Sequence, residues 1–217
     1  MKPSPKDVEM EDQRRIWDRE YGERGTMWCK RTLHMPSVFR GRVVLEAGVG
    51  NGKTLAAILE QDPRYVVAYD HSIQALRKCV RDTRVGLVLA DAAYLPFRDS
   101  CFEAASYYFI LDGMLRKRRE ASAAEAARVL KPGALLLFED FASGDFRQSA
   151  PNVEAGLEPG TVLKRKGLIC HYFDEDEVKV LFQGFSAGDV SVVEYRPFAG
   201  CHGLRRRVVR ATFTRST

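Results

Sequence analysis

The chain has 217 residues, of which 45% are hydrophobic and 29% charged, and 34 basic residues against 29 acidic ones leave a net charge of +5. This length predicts one folded domain with an appendage, and this balance excludes a disordered, collagenous or fibrous chain. No run approaches the roughly 18 apolar residues of a membrane span and the N-terminus lacks the apolar core of a signal peptide, so we expect a cytoplasmic protein that makes no membrane contact.

From residue 42 onward, short β-rich runs alternate with helical stretches, which predicts a mostly parallel α/β sheet. The predicted strands are residues 42–49, 65–70, 86–91, 102–111 and 134–141. The predicted helices between them are residues 53–61, 72–81 and 117–130. A charged amphipathic helix at residues 6–21 lies in an N-terminal helical arm, residues 1–40, ahead of the main domain, residues 41–217.

The C-terminal third departs from this rhythm. Residues 143–170 are rich in Gly, Pro, Ser and charge, so we expect an insertion or lid with at most short local structure. A helix is predicted at residues 174–182. Two β-like runs at residues 190–196 and 205–213 then predict a C-terminal antiparallel hairpin.

The cysteines predict reduced structural thiols rather than a disulfide framework or a zinc site. They are Cys29, Cys79, Cys101, Cys170 and Cys201. Their number is odd, they are widely dispersed, and none forms a C-x-x-C pair. The histidines His71, His171 and His202 form no metal set either, so no metal is expected.

A glycine-rich turn follows the first predicted strand and precedes the first predicted helix. It reads LEAGVGNG over residues 45–52, with Gly48, Gly50 and Gly52 at alternate positions. Glycine permits close approach of the main chain to a ligand, and a helix N-terminus offers free N–H groups. The pattern predicts a nucleotide-like ligand against this turn; an ordinary tight turn is the alternative.

Two acids follow the next two predicted strands. Asp70 ends the second strand and Asp91 ends the third, and the carboxyl ends of the strands are where open α/β sheets bind ligands. A carboxylate can accept hydrogen bonds from both hydroxyls of a ribose or from an exocyclic amine such as that of adenine. Taken singly, each acid would more often be a helix cap or a turn residue; it is the two together that resemble an adenosine-binding set.

The motif does not fit a dinucleotide-binding dehydrogenase, whose fingerprint is G-x-G-x-x-G. Here the pattern is E-x-G-x-G-x-G from Glu46. Together with Asp70, the run LADA at residues 89–92 and the run LKPG at residues 130–133, it resembles the class I S-adenosylmethionine-dependent methyltransferases over residues 42–141.

That resemblance implies a Rossmann-like class I methyltransferase fold and S-adenosyl-L-methionine as the cofactor. It places Glu46 at the amino end of the cofactor and the glycine turn under its sulfonium and ribose. Asp70 would hold the ribose hydroxyls and Asp91 the adenine amine. Tyr108, on the fourth strand, would line the cofactor pocket.

A narrower resemblance lies outside this core. The runs WDREY at 17–21, LFEDF at 137–141, HYF at 171–173, VEY at 193–195 and RRVVRATF at 206–213 are similar, in order, to the methyltransferase-like enzymes that make 3-methylcytidine in tRNA. The resemblance implies N-methylation of a cytidine in tRNA or another structured RNA. It also implies that Trp17 and Tyr21 fold over the cofactor, although both could be core anchors only.

Three basic runs, at residues 116–119, 164–166 and 205–210, are the predicted RNA-binding surface. Such runs can follow a phosphate backbone, and aromatic side chains can stack on a base. The predicted substrate contacts are Arg116, Lys117, Arg165, Tyr172, Arg205 and Arg207. A solvated charged face is the alternative.

Asp112, directly after the fourth predicted strand, is the predicted catalytic residue. It would orient the target base by accepting from an exocyclic amine or by taking a proton late. A cap of the following turn is the alternative. Two other functions stay open on the sequence, a methyltransferase of a protein side chain or small molecule and a partner-dependent cofactor-binding member; oligomeric state is not fixed.

Overall fold

The structure is a computed structural model that describes residues 10–23, 35–149, 153–197 and 203–217, and those residues form five α-helices and ten strands. The helices are α1 (Met10–Glu23), α2 (Lys53–Leu59), α3 (Ile73–Leu76), α4 (Arg116–Val129) and α5 (Glu175–Leu181). The strands are β1 (Val43–Ala47), β2 (Tyr65–Asp70), β3 (Val85–Leu89), β4 (Phe102–Tyr108), β5 (Leu130–Phe141), β6 (Val153–Glu158), β7 (Thr161–Lys164), β8 (Ile169–His171), β9 (Phe185–Tyr195) and β10 (Arg206–Arg215).

Seven strands form the central sheet, in the order β3-β2-β1-β4-β5-β10-β9. Strands β1 to β5 are parallel, β10 pairs antiparallel with β5, and β9 pairs antiparallel with β10. Among these strands only β10 therefore runs against the others. This confirms the predicted mostly parallel fold, and the predicted C-terminal hairpin extends the same sheet.

Helices cover both faces of the sheet, because its central strands are apolar on both sides. Leu55 and Ile58 of α2 pack with Val44 and Val66 on one face. The other face carries a larger cluster, which includes Leu45, Tyr107, Ala126, Val178, Phe182 and Phe213. The two clusters fix the sheet between α2 and α3 on one side and α4 and α5 on the other.

The third predicted helix is shorter than the sequence suggests. Helix α3 begins as predicted after Ser72, whose side chain accepts a hydrogen bond from Ala75 N–H, but it ends at Leu76 rather than at residue 81. The residues beyond it form turns that lead into β3.

The predicted insertion is a small antiparallel sheet of its own, in the order β6-β7-β8. A buried ion-pair network joins it to the main domain: Arg119 of α4 donates to Glu158 Oε1 (2.6 Å) and to Glu177 Oε1 (3.1 Å). The ring of His171 lies between Thr161 (2.7 Å) and Glu177 (2.8 Å). Because buried charges need partners, this network holds the insertion in place.

Strand β4 ends at Tyr108 because Phe109 has a φ of 54° and leaves the extended conformation. This left-handed backbone is uncommon for a bulky residue and marks a sharp turn. The chain continues into a single 3-10 turn, Leu111–Gly113. None of the helices in the described residues has the length and apolar character needed to span a bilayer.

Candidate functional site

A cavity opens at the carboxyl edge of β1, β2, β3 and β4, where the sequence places its candidate residues. Its empty volume, counted together with the open mouth, is about 630 Å³. The lining residues are Trp17, Tyr21, Gly48, Tyr69, Asp70, His71, Ala90, Asp91, Ala92, Phe109, Ile110, Asp112, Gly113 and Met114. The fold thus brings together the predicted Trp17, Tyr21, Gly48, Asp70, Asp91 and Asp112.

The glycine turn needs glycine at each alternate position. Gly48, Gly50 and Gly52 have φ values of 61°, 54° and 86°, a region that side chains disfavour. A Cβ at Gly48 would lie 2.9 Å from Ile110 Cδ1, and one at Gly50 would lie 2.5 Å from Tyr21 Oη. Gly48 lines the cavity, whereas Gly50 and Gly52 shape the turn that presents it.

Asp70 is the buried acid that holds the turn to β2. Its Oδ2 accepts from Gly50 N–H (2.9 Å) and its Oδ1 from Ser72 N–H (2.8 Å). Burial raises the pKa of Asp70 above its ordinary value, against the opposing effects of His71 and these N–H groups. Because a carboxylate has about four lone-pair sites, it can still accept hydroxyl donors from the cavity.

Asp91 contacts a residue that the sequence assigns to the RNA surface. Its Oδ1 accepts from Ala93 N–H (2.9 Å) and forms an ion pair with Arg118 of α4. Both contacts fall on Oδ1, which leaves Oδ2 for a donor in the cavity. The pair also means that Arg118 is committed to the cavity wall.

Glu46 lies in β1 behind the turn, outside the cavity lining, and is 1% exposed. Its Oε2 is buried and has no hydrogen-bond partner among the described residues. Burial raises the pKa of Glu46 from 4.5 to about 8. A buried polar atom without a hydrogen-bond partner is costly.

Replacing Glu46 with glutamine is expected to increase the free energy of unfolding more at pH 8 than at pH 5. The folded carboxyl keeps its proton up to about pH 8 while the unfolded one loses it near 4.5, so wild-type stability falls as pH rises through this window. At about 1.4 kcal/mol per pKa unit, the free energy of unfolding of the wild type falls by at most about 5 kcal/mol across this window. Urea unfolding at the two pH values measures it.

The matched control is Glu60→Gln, at an exposed position just after α2. It should change stability equally at both pH values. An equal effect of Glu46→Gln at pH 5 and pH 8 would contradict the assignment of a buried, protonated Glu46.

The arm helix α1 is fastened at both ends. Near its C-terminal half, Asp18 Oδ1 accepts from Ser72 Oγ (2.7 Å) and Gln74 N–H (3.0 Å). Near its start, Gln13 Nε2 donates to Gly167 O (2.7 Å). These contacts place Trp17 and Tyr21 side by side, with ring centroids 5.8 Å apart, against the cavity. They are therefore both lining residues and packed anchors.

Tyr108 does not lie where the sequence predicts it. It is 7% exposed and packs with Val49 and Leu137 in the core. Because Phe109 turns out of the strand, Phe109 and Ile110 line the cavity in its place. The period-2 pattern of a strand could not reveal this turn.

Asp112 is held at the cavity by a second acid that the sequence did not single out as a site residue. Asp140, at the end of β5, accepts through Oδ2 from the N–H groups of Leu111 and Asp112, both at 3.1 Å. Cys170 donates its thiol to Asp112 Oδ2 (3.5 Å). Burial raises the pKa of both carboxyls, and the charge of Asp112 raises that of Asp140 further. An acid at the end of a strand was the available signal for Asp140.

The basic runs are largely paired with acids, all but one of them distant in sequence, contrary to the expectation of an open positive surface. The ion pairs are Arg116–Glu120, Arg118–Asp91, Arg119–Glu158, Arg119–Glu177, Lys166–Glu20, Arg206–Asp145, Arg207–Glu194 and Arg210–Glu139. Lys117 and Arg205 remain exposed. Pairing of this kind reduces the charge available for phosphate.

Tyr172 was wrongly expected to stack on an RNA base from the surface. It is 1% exposed and packs against Phe141, with ring centroids 6.1 Å apart. The side chain of Arg165 lies outside the described residues, as do Cys29, Cys201 and His202.

Comparison with known proteins agrees with this geometry. Residues 45–138 match a family model described as a methyltransferase domain. The chain is 33% identical over 121 residues to a demethylmenaquinone methyltransferase of Clavibacter sepedonicus, covering 54% of this chain and 48% of that one. It is 24% identical over 148 residues to a tRNA N(3)-methylcytidine methyltransferase of Schizosaccharomyces pombe, covering 62% of this chain and 60% of that one. The chain thus spans less than two thirds of either relative.

A solved S-adenosylmethionine-dependent methyltransferase of Methanosarcina mazei superposes with a TM-score of 0.68 at 22% identity, covering 83% of this chain and 95% of that one. At this identity the likeness shows the fold. The family match and the fold together confirm the resemblance to the class I methyltransferases.

Proposed function

We propose that this chain, a methyltransferase with S-adenosylmethionine as its cofactor, N-methylates a base, a cytidine in tRNA. The observation that carries the proposal is that one cavity is lined by Gly48 of the glycine turn, Asp70 and Asp91 on one side and by Asp112 on the other. A cofactor on the first side would have its target beside the second. Catalysis then consists mainly of proximity and alignment.

The residues present fit this cofactor. Glu46 has a buried oxygen without a hydrogen-bond partner among the described residues. The glycine turn has no room for a Cβ at Gly48 or Gly50, so only glycine keeps the backbone in this conformation. Asp70 would accept hydrogen bonds from the ribose hydroxyls and Asp91 Oδ2 one from the adenine amine, while Glu46 would face the amino end of the cofactor from behind the glycine turn. When bound, the cofactor supplies an electrophilic methyl group on a sulfonium.

The chain's own groups orient the target and exclude water. A ring nitrogen already carries a lone pair, so no strong base is needed. Asp112 would accept from the exocyclic amine of the base or take its proton late. Asp140 keeps the turn that carries Asp112 in position, and Trp17 covers the cavity.

Replacing Trp17 with alanine is expected to weaken binding of S-adenosylhomocysteine about tenfold. Burial of a large apolar side chain is worth roughly 1.5–3 kcal/mol, and about 1.4 kcal/mol is a factor of ten. Calorimetric titration measures the affinity, and Trp17→Phe should retain most of it. A lower melting temperature with unchanged affinity would instead leave Trp17 as an anchor only.

Two observations bear on the substrate. The similarity to the tRNA enzyme of Schizosaccharomyces pombe extends over 62% of the chain and supports RNA. The similarity to the demethylmenaquinone enzyme and the pairing of the basic runs favour a small molecule as the second candidate. A requirement for a protein partner stays a prediction.

Methyl transfer from labelled S-adenosylmethionine to total tRNA tests the proposal. We expect a methylated cytidine in nucleoside digests and a tRNA affinity that falls as salt rises, because phosphate contacts release counterions. Transfer to a quinone-type acceptor with no labelling of tRNA would overturn the RNA substrate. Absence of S-adenosylhomocysteine binding would overturn the enzyme assignment itself.

A further inference from the structure

Three cationic side chains surround one aromatic ring at the end of β5. The guanidinium carbon of Arg147 lies 4.2 Å from the centroid of Phe141, that of Arg206 lies at 5.0 Å, and Lys164 Nζ lies at 5.5 Å. Arg147 comes from the turn after β5, Lys164 from the end of β7 and Arg206 from the start of β10. The tertiary fold therefore assembles a cation cluster, Arg147, Lys164 and Arg206, that no run of the sequence contains.

One carboxylate serves two of these cations. Asp145 has a fully buried side chain and pairs with Arg206 Nε at 3.0 Å and Arg147 Nε at 3.6 Å. The same carboxylate also accepts from the backbone N–H groups of Arg147 and Arg207, each at 3.0 Å. No carboxylate of the described residues lies within ion-pair distance of Lys164. Among the described residues, the three cations thus make direct ion pairs with one carboxylate only, while Asp112 lies in the field of Lys164 and Arg147.

Arg147 also has an unused donor. Its Nη2 is buried and has no hydrogen-bond partner among the described residues. A buried charged donor without an acceptor is unfavourable, since it has lost its water without gaining a bond. An anion with several acceptor oxygens would satisfy the donor and balance the charge together.

The cation cluster adjoins the target side of the cavity. Phe109, which lines the cavity, packs on Phe141 with ring centroids 4.9 Å apart. The charges of Lys164 and Arg147 also act on Asp112, whose pKa burial raises and these cations lower. An anion on the cation cluster would therefore sit next to a base held at Asp112.

We propose that the cation cluster binds a phosphate of the substrate next to the methylated base, through Arg147 and Lys164. This rests on the proposed function, in which a nucleotide base is the target. The chemistry required is that of a phosphate group, whether in an RNA backbone or on a free nucleotide. Arg206, tied to Asp145, orients the site rather than supplying its main contacts.

The test uses the full chain with Arg147→Gln and Lys164→Gln combined. Matched controls are Arg84→Gln and Lys179→Gln, two cations in ion pairs with nearby acids away from the cavity. The probes are total tRNA, cytidine 5′-monophosphate and cytidine, each measured with S-adenosylhomocysteine present. We expect at least about tenfold weaker binding of tRNA and of the monophosphate, no change for cytidine, and a salt slope lower by about 0.7–0.9, the value for one phosphate.

The single variant Lys164→Gln is the test to use if the double variant misfolds, since Lys164 makes no ion pair among the described residues. It should show part of the same loss of affinity for tRNA and the monophosphate. A loss with the monophosphate but not with tRNA would keep the phosphate site and assign it to a free nucleotide. Unchanged affinity and slope in a folded double variant would overturn the site. If S-adenosylhomocysteine does not bind the wild type, the proposed function fails instead.

Discussion

Replacing Asp70 with alanine is expected to weaken binding of S-adenosylhomocysteine by at least about tenfold. The carboxylate would lose its bonds to the ligand ribose and release the N–H groups of Gly50 and Ser72, so the turn itself loosens. Each hydrogen bond to a charged group is worth roughly 1.5–3 kcal/mol, and about 1.4 kcal/mol is a factor of ten. Isothermal titration measures the loss.

Two further variants separate the contributions. Asp70→Asn keeps one acceptor oxygen and should lose less affinity than the alanine variant. Asp176→Ala removes an acid that is 91% exposed on α5 and should bind the ligand as wild type does. Unchanged binding in a folded Asp70→Ala protein would rule out Asp70 as a ligand contact.

The second large effect is expected from Asp112→Asn, which should slow methyl transfer, by up to about 10²–10⁴-fold where Asp112 takes the proton of the exocyclic amine. Cofactor and RNA affinities should be unchanged. Burial raises the pKa of Asp112, so the wild-type rate should rise with pH as the carboxyl loses its proton. That rising limb should be absent in the Asn variant.

Single-turnover rates over a pH series measure this effect. Stability provides the control: removing one of two adjacent buried carboxyls should not lower the melting temperature, because their mutual repulsion is relieved. A wild-type rate in the Asn variant, or a pH limb that persists in it, would exclude a catalytic role and leave Asp112 as a turn residue.

The strands, the glycine turn and the acids at strand ends could be predicted because each depends on local sequence. Gly48, Gly50 and Gly52 have to be glycine for their own backbone angles. Asp70, Asp91 and Asp112 then meet because parallel strands share a carboxyl edge. The fold class and the positions of the glycine turn and of these three acids follow from such local signals alone.

The insertion shows where local signals end. Strands β6, β7 and β8 have 6, 4 and 3 residues, too short for a period-2 pattern to stand out among glycines and charges. Their placement depends on Arg119, which binds acids 39 and 58 positions away in the chain. Likewise the sequence wrongly predicts Tyr108 in the cavity lining, because nothing in it marks the left-handed backbone of Phe109 next to it.

The charge distribution was decided only by the tertiary structure. The sequence determined that the runs Arg116–Arg119 and Arg205–Arg210 contain no acidic residue between their basic residues, a pattern that favours an open phosphate-binding surface. Folding then brought Glu158, Glu177 and Asp145 against them, and it grouped Arg206 with Lys164 and Arg147, which are distant in sequence. The reason is physical: backbone angles and side-chain periodicity act between neighbours, whereas Coulomb attraction acts through space and selects partners only after the sheet has set the distances.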